Sequence, residues 1–188
     1  MKVGFICEGE TESIIIESLS FKKFLSSIGV ELIMAVNATG SGNLLPNNII
    51  PYTKILSDNG ADKIIILTDL DEDKCITATK NRIDPNSNYL TIVSVRSIEA
   101  WFLADSKTLS SLFKGKFIYK FPEEEAQPRE VLKQLFLQKT QGGIGLSKPG
   151  FAQKMITNGF NITNAAAHDN CKSAKYFIKK LKSLINNQ

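Results

Sequence analysis

The segment from Lys63 to Thr68 constrains this chain more than any other. Its run Ile64-Ile65-Ile66-Leu67 is apolar at every position, and successive β-branched residues favour a strand over a helix. A strand that is apolar on both faces needs cover on both sides, the condition of a central strand in a parallel α/β sheet. The run leads straight into Asp69-Leu70-Asp71-Glu72-Asp73. A buried strand therefore carries a set of carboxylates to its own carboxyl end.

The flanking segments repeat the pattern. Lys2 to Cys7 reads as a strand that ends at Glu8-Gly9-Glu10-Thr11-Glu12. A helix opening at Thr11 or Glu12 and reaching Ser27 would bury Ile15, Ile16, Leu19, Phe24 and Leu25, with Gly29 as its stop. Glu31 to Val36 is a second strand, Thr39-Gly40-Ser41-Gly42-Asn43 a loop, and Pro46 to Ser57 a helix that stops at Asn59-Gly60. Tyr89 to Val95 is a fourth strand, ending at Arg96-Ser97-Ile98-Glu99 before a helix from Ala100. Strands alternating with helices predict an α/β fold: a mostly parallel four-stranded sheet with helices on both faces. Beyond Leu109 the signal turns helical, at Glu130 to Lys139, Phe151 to Thr157 and Ser173 to Ile185, with Gln141-Gly142-Gly143-Ile144-Gly145 as a loop. The expected organisation is an α/β core over residues 1–105 and a helical C-terminal extension over 106–188 packed on it.

Composition narrows the function classes. With 188 residues and 43% hydrophobic side chains, the chain can build a substantial core and does not read as disordered. No apolar run is long enough to span a bilayer, and the apolar start meets Glu8 too soon for a signal peptide, so a cytoplasmic location without membrane association is expected. The three cysteines, Cys7, Cys75 and Cys171, lie far apart without zinc-type spacing and are expected as buried or half-buried thiols. A single histidine, His168, leaves no serine-hydrolase constellation. The net charge of +4 and the lysine-rich stretch from Lys172 to Lys182 suit a polyanionic partner or a solvated helix face.

The chemistry should sit where the strands end. Glu8 and Glu12 follow the first strand, Asp69 and Asp71 the third, and Glu99 the fourth. Strand carboxyl ends share one edge of an open parallel sheet, and sites form there. Converging carboxylates repel unless a cation neutralises them, and all-oxygen ligands suit Mg2+ or Mn2+. Two such ions about 3.5–4 Å apart could clamp both oxygens of a phosphodiester displacement. Asp69 and Asp71 would point the same way if the strand continued through them. The loop Gly40-Ser41-Gly42 lacks the Gly-Lys-Ser/Thr ending of a nucleotide-binding P-loop, although its backbone N–H groups could hold a phosphate. Trp101 reads as a core residue and His168 as a surface or interface residue.

At these residues the chain resembles the Toprim fold of topoisomerases, DnaG-type primases and OLD-family nucleases, and small stand-alone Toprim-like bacterial proteins. The likeness rests on Glu8-Gly9-Glu10-Thr11-Glu12, on Asp69-Leu70-Asp71 and on Ser97-Ile98-Glu99, extended through Ala100-Trp101-Phe102-Leu103-Ala104-Asp105. It covers residues 1–105; the remainder matches only loosely. The resemblance implies a metal-dependent nuclease or related phosphoryl-transfer enzyme acting on DNA or RNA, with a role in phage defence by analogy. It implies Glu8, Glu12, Asp69, Asp71 and Glu99 as ligands of Mg2+ or Mn2+, Glu8 also in proton transfer, and Ser97 as a supporting hydrogen-bond group. It implies Lys148 as the cation facing the scissile phosphate, with Lys154 as second candidate. No ATPase segment is recognisable, so any nucleotide-driven motor would be a separate partner. The competing expectations are a non-catalytic regulatory or binding subunit of a partner ATPase, and a receiver-like phosphoacceptor domain, which the first motif fits poorly.

Overall fold

The computed structural model describes residues 1–140, 143, 145 and 147–185. The chain divides into two compact units, residues 1–93 with 180–188, and residues 94–179.

The first unit is built on β1 (Lys2–Cys7), α1 (Glu10–Glu17), α2 (Leu19–Ser27), β2 (Glu31–Asn37), α3 (Ile50–Asp58), β3 (Lys63–Asp69), α4 (Ile76–Ile83) and β4 (Leu90–Ser94). All four strands are parallel, in the order β2-β1-β3-β4. The period-two alternation of side chains sorts the helices onto the two faces. On one face Phe5 of β1 meets Phe21 of α2 edge-on, with ring centroids 5.9 Å apart. On the other, Ile6 and Ile66 join Leu56 of α3 and Ile83 of α4 in one buried cluster. Gly4 belongs to this second face. A Cβ there would stand 2.7 Å from Leu56 Cδ2, so only glycine lets α3 lie this close to the sheet. Ile65, Ile66 and Leu67 are fully buried, as expected for a strand covered on both sides.

One predicted helix is two. The expected helix to Ser27 breaks at Ser18, whose backbone is extended (φ −63°, ψ 145°). The Ser18 hydroxyl donates to the Ile15 carbonyl at 2.7 Å and accepts the Phe21 N–H at 3.3 Å. It thereby closes α1 and caps α2, the usual preference of serine for caps over helix interiors. The break turns Leu19, expected in the core, out to 67% exposure. Phe24 is only half-buried. The helix expected from Pro46 begins only at Ile50, and a 3-10 turn over Ser41–Leu44 falls within the loop ahead of it.

The second unit holds α5 (Glu99–Ala104), α6 (Ser106–Leu112), α7 (Pro128–Lys139), α8 (Lys148–Thr157), α9 (Ile162–Ala167) and most of α10 (Lys172–Ser183). Every residue of α5 is buried, because this helix is the hub on which the others pack. Trp101 stacks on Phe177 at 5.6 Å and donates its indole N–H to Ser173 Oγ at 2.7 Å. Phe102 meets Phe160 and Phe151 edge-on, at 4.7 and 5.6 Å. Trp101 is thus a core residue. Cys7 and Cys171 are buried, and burial pushes both thiols well above their ordinary range. Cys75 is exposed, against expectation, because it lies in the turn ahead of α4. Of the loop expected at 141–145, Gln141, Gly142 and Ile144 lie outside the described residues.

Candidate functional site

The parallel register brings the ends of β1 and β3 side by side, with Cys7 paired to Leu67. The Glu8 N–H continues the ladder by donating to the Leu67 carbonyl at 2.9 Å. The Glu8 side chain then turns back across the strand end. Its Oε2 accepts the Thr68 hydroxyl at 2.5 Å and the Asp69 N–H at 3.2 Å. Two donors on one oxygen fix the carboxylate of Glu8 over the start of the Asp69-Leu70-Asp71 motif. Thr68 is a residue of the candidate site that sequence reasoning missed. Its signal was a hydroxyl directly ahead of the acidic run.

Glu12 is placed by the helix start. It sits at the third position of α1 and accepts the Gly9 N–H at 3.0 Å. This is half of a capping box, and it satisfies a donor that the helix leaves unpaired. Glu12 and Asp69 are 5% and 7% exposed, so two carboxylates are held out of water at adjacent strand ends. Asp71 behaves differently. β3 ends at Asp69, and Asp71 is an exposed turn residue with φ 47°, a conformation that aspartate tolerates. The strand therefore does not continue through the motif, and the alternation expected to align Asp69 with Asp71 does not operate. Asp73, at the end of the acidic run, is paired with Arg82 at 2.9 Å, and this guanidinium holds its carboxyl below the usual carboxylate range.

The loop after β2 borders Glu8 through the backbone. The Gly40 N–H donates to the Glu8 carbonyl at 2.8 Å, so this amide is committed to the fold rather than to a phosphate. Gly40 has φ 130°, a left-handed value that favours glycine.

In the second unit, Glu99 opens α5 after the Arg96-Ser97-Ile98 turn, where Arg96 has φ 63°. The Ser97 carbonyl accepts the Ala100 N–H at 3.0 Å, which anchors the turn. Glu99 is only 2% exposed, and its Oε2 is buried without a hydrogen-bond partner. Two other buried acids differ. Asp105 caps α6 through the Thr108 N–H and also accepts from the Thr108 hydroxyl and the Asn161 N–H. Asp84 in the first unit accepts two backbone N–H groups. Those two are structural acids; Glu99 is an acid with an oxygen to spare.

Lys148 Nζ lies 3.9 Å from Glu99 Oε1. The lysine is the first residue of α8, and Ser147 ahead of it accepts the Gly150 N–H at 3.1 Å. Pro149 in this first turn suits a helix start, so the sequence around Lys148 is an ordinary N-terminus. The alternative, Lys154, donates to the Gly143 carbonyl at 3.0 Å and lies 5.0 Å from the Phe136 ring centre. Lys154 is engaged in packing, and Lys148 is the lysine that meets a predicted ligand.

The structure thus groups Glu8, Glu12 and Asp69 at one strand-end edge of the first unit, and Glu99 with Lys148 in the second. Among the described residues, no three acidic, histidine or cysteine side chains are arranged as a ready cation cage. The oxygen donor set nonetheless suits Mg2+, which binds through one or two carboxylates and keeps several waters. In the first unit Glu8 would present its other oxygen, Oε1; in the second, taken by itself, Glu99 would present its unpartnered Oε2.

An all-parallel sheet ordered β2-β1-β3-β4 within an α/β architecture is consistent with a Toprim-like fold. The chain is similar to two solved structures of the C-terminal region of the Xanthomonas campestris pv. campestris OLD protein. One, phased with iodine, is 15% identical over 99% of this chain and 98% of that chain, with a TM-score of 0.40. The other, phased with platinum, is 17% identical over 98% and 95%, with a TM-score of 0.43. No family model matches the chain. No curated protein matches it either. Among the described residues, no helix is long and apolar enough to cross a membrane.

Proposed function

We propose that this protein is a Mg2+- or Mn2+-dependent phosphodiesterase acting on DNA or RNA. The observation that carries the reading is the Glu8 carboxylate, fixed by the Thr68 hydroxyl and the Asp69 N–H beside two buried acids at the carboxyl edge of a parallel sheet. Glu12 serves the start of α1, but the helix cap does not call for a second buried acid at Asp69 or for Glu8 beside it. The fold could bury apolar residues in their place, and a buried carboxylate is costly unless a cation or donor compensates it.

In this reading Glu8, Glu12, Asp69 and Asp71 are metal ligands of the first unit, and Glu99 is a metal ligand of the second. A bound divalent cation would supply charge neutralisation at the phosphate and a lowered water pKa. Thr68 holds Glu8 in one orientation. Asp71 is the exposed ligand of the set, on the turn that follows β3. Ser97 supports the turn that presents Glu99, and Lys148 offsets charge on the phosphate oxygens. A role in phage defence belongs to the same proposal, as does cooperation with a partner ATPase.

Incubation of the purified protein with labelled single- and double-stranded DNA and RNA, with Mg2+, Mn2+ or EDTA, tests the reading. The expected result is metal-dependent cleavage that Glu8→Ala and Asp69→Ala each abolish. Cleavage retained by both variants refutes it. The second reading is a binding subunit without catalysis. Nucleic-acid binding without cleavage under every metal would establish that alternative.

A further inference from the structure

The second unit contains a pocket of 480 Å³ whose lining includes none of the candidate metal ligands. Its size falls in the range of small-molecule sites, about 300–1,000 Å³. Its lining combines three kinds of group. Lys107 and Lys120 are exposed cations. Ser106 has a buried hydroxyl without a hydrogen-bond partner. His168 accepts the Asn170 N–H on Nδ1 at 3.1 Å, which puts its ring proton on Nε2 and makes that nitrogen a donor. Ile118, 60% exposed, offers apolar surface, and Asp169 is the single acid of the lining. The wall is held in place: the Lys120 carbonyl accepts Asn170 Nδ2 at 2.8 Å, tying the irregular segment after α6 to the turn ahead of α10.

We propose that this pocket binds one nucleoside monophosphate unit, either as the free nucleotide or as the phosphorylated 5′ end of a strand. The two lysines and the His168 Nε2–H take the phosphate. Ile118 packs against the base. Asp169 would repel a bare phosphate but can accept from ribose hydroxyls or a base amine, which makes the site selective for the nucleotide over the inorganic anion. The inference uses only residues of the second unit and stands whether or not the metal-dependent reading does.

Equilibrium dialysis of the full-length protein in EDTA keeps any metal site out of the measurement. The probes are labelled 5′-AMP, a 5′-phosphorylated tetranucleotide and inorganic phosphate. Saturable binding of 5′-AMP is expected with a Kd below about 1 mM. Lys107→Ala/Lys120→Ala, on two exposed positions, is expected to weaken it roughly tenfold, the usual effect of losing charge-assisted phosphate contacts. Asp169→Asn should weaken 5′-AMP while tightening phosphate. Tighter binding of the tetranucleotide than of 5′-AMP assigns the site to strand ends, and the reverse assigns it to free nucleotide. The proposal is overturned if neither nucleotide probe saturates, if phosphate binds as well as 5′-AMP, or if the lysine pair variant, shown to be folded by circular dichroism, binds unchanged.

Discussion

Replacing Glu99 should make the metal-free protein more stable and remove its response to metal. Glu99 is 2% exposed, its Oε2 has no partner, and its Oε1 faces a lysine 3.9 Å away that is itself 54% exposed. A half-exposed ammonium at that distance compensates a buried carboxylate only partly, since it is shared with water. An unsatisfied buried polar atom costs about 1–3 kcal/mol, and more when charged. Glu99→Met keeps the length of the side chain and removes the charge, so about 1–2 kcal/mol of stabilisation is expected in EDTA after some loss to imperfect packing. For a chain of this size that is a rise in Tm of roughly 2–8 °C. Mg2+ should invert the order. A cation present at about 100 times its Kd stabilises the wild type by about 2.7 kcal/mol, and the variant should gain little of this. Urea unfolding at pH 7, with and without Mg2+, measures both quantities. A Glu99→Met protein that is destabilised in EDTA by 1 kcal/mol or more at unchanged m-value, or that gains as much from Mg2+ as the wild type, refutes the assignment of Glu99 as a ligand held in wait.

Three further outcomes follow from the geometry. Thr68→Val keeps the shape of a fully buried side chain but removes the 2.5 Å bond to Glu8; metal-dependent cleavage should fall roughly tenfold, as for loss of one charge-assisted contact, and unchanged cleavage in a folded variant would show that Glu8 needs no such support. Gly4→Ala places a Cβ 2.7 Å from Leu56 Cδ2 and should cost about 1–3 kcal/mol by overpacking; in a double-mutant cycle with Leu56→Ala the two losses should be less than additive, and full additivity would mean that α3 is not seated on Gly4. The Tyr119 hydroxyl donates to Glu125 at 2.6 Å, holding that carboxyl below its ordinary range while the tyrosine is pushed up to about 12. The lowered carboxyl adds stability above its unfolded pKa of about 4.3 that is lost as pH falls through the folded value, and the raised phenol adds stability below about pH 10 that is lost as pH rises through its folded value. Tyr119→Phe should therefore lie below the wild type in Tm near neutrality and converge with it at both extremes; a constant difference across pH would show that the pair is not coupled.

Much of the first unit was legible because its signals are local. The Ile64–Leu67 run, the short apolar run in Lys2–Cys7 and the acidic turns after them place strands and strand ends by composition alone. Ser18 was not legible. A serine inside a helix and a serine between two helices look alike in sequence, and only the packing of α2 against the sheet selects the extended backbone that exposes Leu19. Whether Asp71 would align with Asp69 was not legible for a related reason: where a strand stops depends on where its neighbours stop, and β3 ends at Asp69.

Linear order by itself determined that this chain is a parallel α/β protein with carboxylates at its strand ends. Strand propensity and apolar period are properties of short segments, and chain connectivity then forces the ends of parallel strands to one edge. Tertiary structure alone decided the state of each acid. Asp105 is satisfied by partners drawn from α6 and from residue Asn161, Glu8 is gripped by a threonine sixty positions away, and Glu99 is buried with an oxygen unmatched. Those differences depend on which distant donors arrive beside a carboxylate, and no window of sequence contains them.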